Sequence, residues 1–196
     1  MAQTKFSIAS QALILINETP VNSFDEGSNA AKILTELYDT WAENILSIHP
    51  WSFNTTRQQL IQENKTIAGW QYLYKIPSSV LRVHAVFADN SVFTQPVRAF
   101  RIVGDNESQY VATNEPKCFV ENSFYCDESI WPAWFVEFAK YDLAGTLAMP
   151  IGNDADLASS YMSLAKQKFY KAISVSDQQS PPQMYLENEI IAARFS

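Results

Sequence analysis

A chain of 196 residues, 47% hydrophobic and 18% charged, has the material for one core-bearing domain and too much apolar content for a disordered polymer. Its 14 Lys and Arg against 21 Asp and Glu leave a net charge of −7 with no basic cluster, which excludes a phosphate-gripping nucleic-acid face. No apolar run approaches the ~20 residues that a bilayer-spanning helix needs, and the opening Met-Ala-Gln-Thr-Lys-Phe lacks the apolar stretch of a secretory leader, so neither is expected.

The first helix is predicted over roughly 4–16, where Phe6, Ala9, Leu13 and Ile16 recur at spacings of three and four. Asn17 suits the left-handed conformation that closes a helix, and Pro20 prevents continuation. Ser28 or Asn29 caps a second helix that runs to about His49, with Ile33, Leu37, Trp41, Ile45 and Ile48 on one stripe; Pro50 stops it.

From Trp51 onward the period shortens to two. Trp70, Tyr72, Tyr74 and Ile76 alternate with Gln71, Leu73 and Lys75, the pattern of a half-buried strand. Further strands are expected at 80–87, 100–103, 109–112 and 118–126. Cys118 and Cys126, the only cysteines, are expected to be reduced thiols, because Glu121-Asn122-Ser123 has no Gly to favour a hairpin between them.

Helical periodicity returns after Ser129, with Trp131 and Pro132 in a first turn and Trp134, Phe135, Phe138, Ala139 and Leu143 along the face that Asp142 interrupts. Met149-Pro150-Ile151-Gly152 is expected to end this helix. The last one starts near Asn153 or Asp154 and carries Leu157, Tyr161, Leu164, Ala165, Phe169 and Ala172, with Lys166, Lys168 and Lys171 as cations near its end. From Ser176 the chain turns polar and reaches Pro181-Pro182, so an extended segment is expected. The apolar stretch behind it has no place in the chain's own core, which marks 176–196 as an interaction arm. Tyr185, Leu186, Ile190, Ile191 and Phe195 would anchor that arm, and Arg194 would meet an acidic partner.

These elements predict an α+β fold: a helical bundle of long helices with a small β insertion in the middle of the chain and an extended C-terminal arm. The expected divisions are 1–50 helical, 51–127 β module, 128–175 helical and 176–196 arm. Aromatics at 13% exceed what a core of this size readily encloses, so some are expected at subunit contacts.

Catalytic patterns are missing from the sequence. Gly27, Gly69, Gly104, Gly145 and Gly152 form neither a phosphate loop nor a dinucleotide fingerprint, and there is no Gly-x-Ser-x-Gly elbow. His49 and His84 lie in different elements, without Cys, Asp or Glu at metal-ligand spacing. No enzyme activity, metal or cofactor is expected.

Three stretches carry a resemblance. The first is Leu13-Ile14-Leu15-Ile16-Asn17-Glu18-Thr19-Pro20-Val21, followed by a helix and Pro50-Trp51-Ser52-Phe53-Asn54. The second is Trp70-Gln71-Tyr72-Leu73-Tyr74-Lys75-Ile76-Pro77 with Leu81-Arg82-Val83. The third is Trp131-Pro132, Phe135, Leu143-Ala144 and Ala148-Met149-Pro150-Ile151. In this order and spacing they resemble the tail tubular protein A family, the head-to-tail adaptors of short-tailed phages. Asn17 stands where that family usually has Gly. The resemblance places Glu18, Pro20, Trp51, Phe53, Trp70, Pro77, Leu81, Arg82, Trp131 and Pro132 in the scaffold motifs.

The resemblance implies a structural virion protein made in the host cytoplasm, which forms a homo-oligomeric ring of twelve copies. The ring would sit between the portal protein and the tail nozzle protein, with tail fibres as a further contact. DNA would pass through it without specific binding. The alternatives are another tail, stopper or baseplate protein, or a virion-associated hydrolase.

Overall fold

Thr4 begins the first helix with a capping box: its hydroxyl accepts from the Ser7 amide, and the Ser7 hydroxyl accepts from the Thr4 amide. The computed structural model describes residues 3–91 and 94–179. Helix α1 (Lys5–Leu15) buries Ile8, Ala9, Ala12 and Leu13, and just past its cap Ile16 the chain turns away at Asn17, whose φ of 59° is left-handed. Helix α2 (Asn29–Ser47) starts from a Ser28 cap. Among the described residues seven strands follow: β1 (Thr55–Gln59), β2 (Ile61–Glu63), β3 (Tyr72–Lys75), β4 (Val80–Phe87), β5 (Phe100–Gly104), β6 (Gln109–Thr113) and β7 (Phe119–Phe124). A 3-10 turn, Glu128–Ile130, leads into α3 (Ala133–Gly152) and α4 (Ala155–Gln179).

The described chain divides into a helical unit, residues 3–55 with 123–179, and a β unit, residues 56–122. In the helical unit α3 packs against all three other helices, most extensively α4. Phe135, Phe138, Leu143 and Leu147 bury different sides of α3, as a central helix requires. The helix ends within the expected stretch Met149-Pro150-Ile151-Gly152, with Pro150 inside its last turn. The helix runs on to Gly152 and closes at Asn153, with φ 49° and an amide bonded to the Met149 carbonyl.

In the β unit one sheet has the order β2-β3-β6-β5, antiparallel throughout, with Leu73 opposite Ala112 and Ile102 opposite Val111. The other has the order β1-β7-β4. Leu60, Tyr74, Ile76, Val86, Val111, Cys118 and Val120 form a core of the unit's own.

The expected bundle of long helices with a small β insertion is therefore corrected. Two antiparallel sheets occupy the middle of the chain with their own core, and α1 has only 11 residues. Two strands escaped the sequence pattern. β1 reads Thr-Thr-Arg-Gln-Gln and β2 Ile-Gln-Glu, too polar to announce themselves. β1 is held partly by the Arg57 guanidinium, which lies 3.6 Å over the Phe87 ring.

The expected change at Ser176 is corrected as well, because α4 continues through Gln179. Ser176 is buried and its hydroxyl accepts from the Ser52 amide at 2.9 Å. The remainder of the expected arm, 180–196, with Tyr185, Leu186, Ile190, Ile191, Arg194 and Phe195, lies outside the described residues. No helix among the described residues is long and apolar enough to cross a membrane.

Candidate docking surface

Residues of the first and third resemblance stretches, some 80 positions apart, meet in the helical unit. The Trp51 ring, fully buried, lies 5.0 Å from Phe135, 5.9 Å from Trp134 and 5.8 Å from Phe169. Phe53 packs 4.8 Å from Phe135, and Trp131 5.0 Å from the same ring. Both buried indoles are satisfied: Trp51 Nε1 donates to the Ile45 carbonyl at 2.9 Å, and Trp131 Nε1 to the Cys126 carbonyl at 3.2 Å. The network continues through Trp41, Tyr38 and Phe24 to Phe6. Much of the aromatic surplus is thus interior, while Tyr125 and Tyr170 stay exposed.

The other motif residues shape turns and ends. The Glu18 amide bonds to the Leu13 carbonyl at the close of α1, and exposed Pro20 follows. The Pro132 carbonyl accepts the first amides of α3, from Phe135 and Val136. In the β unit the Trp70 amide closes a turn onto Ile67 through Gly69, whose φ is 90°. The Pro77 carbonyl accepts from the Val80 amide, and Leu81 and Arg82 line a cavity of about 330 Å³ with Ile76 and Ile102. These ten residues do not form one site.

A larger feature lies wholly within the helical unit. An open groove of about 1050 Å³ runs between α2 and α4 over α3. Ile33, Leu37, Trp41 and Met162 give it apolar surface, and Asp142 and Thr146 add polar groups from α3. Met162, 42% exposed, sits here because α4 approaches α3 closely at Gly145, where a Cβ would lie 3.0 Å from the Met162 side chain and 3.1 Å from its amide nitrogen. Asp142, which interrupts the apolar face in the sequence, accepts from Trp41 Nε1 at 2.8 Å. Burial pushes its carboxyl above the usual carboxylate range, and the Trp41 bond offsets part of that. Sequence reasoning singled out Asp142 but missed the groove, because the α2 face and Met162 of α4 join Asp142 and Thr146 only once those helices lie against α3.

At the other end of α4, three contacts fasten its last turns to the segment after α2. His49 Nε2 lies 3.1 Å from Asp177 Oδ1, the Ser52 amide bonds Ser176, and the Ser52 hydroxyl donates to Gln179 Oε1 at 2.8 Å. Lys168, expected near a helix end, lies mid-helix and pairs with Glu137 at 3.1 Å.

Burial pushes the thiols of Cys118 and Cys126 up to about 12 and about 11, so neither is a thiolate near neutral pH. In the β unit Lys65 Nζ donates to Asp105 at 2.7 Å and to the Tyr110 hydroxyl at 2.9 Å, and the Asp105 carboxyl is held well below the usual range, first by Lys65 and then by the Glu107 and Ser108 amides. That triad fastens the β5–β6 turn to Lys65. Among the described residues no three His, Cys, Asp or Glu side chains gather as a metal site.

Comparison of the chain with protein-family models and with curated proteins yields no match.

Proposed function

We propose that the chain is a structural subunit of a phage virion, the adaptor ring that joins the portal protein to the tail nozzle and forms part of the DNA channel. The observation that carries this reading is the ordered set of three motifs resembling the tail tubular protein A family. The meeting of Trp51 and Phe53 with Trp131 and Phe135 in one core supports it, since motifs that share a packing unit are expected to keep a common spacing. The groove on α2, α3 and α4 supplies a surface on which such a subunit can dock.

Charge supports the channel role. The helical unit's sequence holds six Lys and Arg against thirteen Asp and Glu, a balance of −7, whereas residues 56–122 hold seven against six. A channel wall drawn from the acidic unit repels the phosphate backbone and lets DNA slide. The segment after Gln179 is the arm toward the portal, with Tyr185, Leu186, Ile190, Ile191 and Phe195 as anchors and Arg194 for an acidic partner residue.

Sedimentation of the full chain with its phage's portal protein tests this. The expected result is co-sedimentation in a fixed ratio that is lost when the chain is cut after Gln179. Two species that sediment independently at micromolar concentration contradict the reading. Submicromolar affinity for duplex DNA near physiological salt contradicts the channel role.

A further inference from the structure

We propose that the α2–α4 groove receives a second copy of the chain through that copy's opposite flank, the surface made by exposed Ile14, Leu164 and Lys171 with half-buried Lys168. The inference rests on the ring reading and names the two faces that would meet in it.

Helix geometry separates the faces. Met162 lines the groove. At 100° per residue Leu164 lies ~200° further round α4, and Lys171, nine residues on, lies ~180° round. Leu164, Lys168 and Lys171 follow the spacing i, i+4, i+7 and make one stripe. Tyr161 locates that flank, for its hydroxyl donates to the Leu15 carbonyl and its ring stacks 6.1 Å from Tyr141. The stripe therefore runs beside the end of α1, where Ile14 is 56% exposed; Leu164 is 38% exposed.

The chemistry of the two faces is complementary. The groove offers apolar surface from Ile33, Leu37 and Met162, with the carboxylates of Asp142 and Glu36 and one cation, Lys32. Glu43 extends the acidic side of α2 two turns beyond Glu36. The opposite flank offers two exposed aliphatic side chains and two lysines, and its one carboxylate facing Lys168, Glu137, is already paired with Lys140 and Lys168. Trp41 is the only side chain among the described residues bonded to the Asp142 carboxylate. An arriving ammonium group would give that half-buried acid the counter-charge it lacks. A closed ring needs two different, complementary faces on every subunit, and this unit carries such a pair.

Paired cysteines on the full chain test the inference. Glu36→Cys and Lys171→Cys lie at exposed positions, while native Cys118 and Cys126 are buried. Under mild oxidation the chain carrying both substitutions is expected to give a ladder of covalent oligomers, and each single variant to remain unlinked. In sedimentation, Lys171→Glu is expected to weaken self-association about tenfold, and Glu36→Lys in the same chain to restore it.

Linking within a single-cysteine variant would mean like faces meeting and would overturn the inference. So would protection of Glu36→Cys from alkylation that disappears on cutting after Gln179, which assigns the groove to the chain's own C-terminal segment. An unlinked double variant that still forms rings on the portal overturns this pairing and leaves the ring reading standing. An unlinked double variant with no ring takes both down.

Discussion

The helical unit and the β unit reach stability by different routes. The first buries four of the five tryptophans, wholly or partly, in a network centred on α3, and carries the chain's whole charge imbalance. The second is nearly neutral and packs mainly aliphatic side chains between two sheets. The lesson is one of division. The acidic, aromatic unit bears the open groove and a basic flank, whereas the β unit's charged contacts, Lys65–Asp105 and Arg57–Glu121, tie its own segments together.

The sharpest way to break the contrast is Trp51→Ala. It empties a fully buried site and removes the donor to the Ile45 carbonyl, so a loss of about 3–5 kcal/mol is expected in denaturant unfolding. Tryptophan fluorescence reports mainly the helical unit, because Trp70 alone lies in the other. A loss under 1 kcal/mol would show that the aromatic network is not the unit's centre. Gly145→Val comes next. Its Cβ meets both the side chain and the backbone of Met162, so α4 must move off α3, and overpacking of this kind costs about 1–3 kcal/mol. Chemical denaturation checks it, and an unchanged midpoint would mean that α4 yields freely.

Much of this was legible in the sequence, element by element. Helix α1, the Ser28 cap and the strand at 80–87 declared themselves because periodicity and capping are local signals. The size of the β unit did not, for β1 and β2 are short and polar and gain their pairing from distant partners. The reach of α4 through Gln179 was hidden in the same way. Ser176, Asp177 and Gln179 read as linker residues until His49 and Ser52, more than 120 positions earlier, supply their partners. Of the candidate site, Asp142 was visible as a carboxylate on an apolar face; the groove around it is a product of three helices.

Two smaller effects sharpen the account. Ser176→Ala removes the acceptor of the Ser52 amide and is expected to cost about 1 kcal/mol. Hydrogen exchange should quicken in the last two turns of α4 and leave α3 unchanged; equal quickening in both would contradict a local fastening. Asp142 contributes a pH dependence whose sign follows from its raised carboxyl value. The folded chain holds this proton at pH values where the unfolded chain has released it, so the contribution is full below the unfolded value of ~3.9 and is lost as pH rises through the folded value. Asp142→Asn keeps the Trp41 bond without the charge, and its stability relative to the parent should climb across that window. A pH-independent difference would show that burial of Asp142 has no energetic weight.

The central claim is tested most directly by electron micrographs of the full chain mixed with the portal protein proposed as its partner. The account predicts a closed ring of twelve copies seated on one face of the portal, with the α2 side of each helical unit against the α4 flank of the next. Portals that remain bare in the presence of excess chain would contradict it.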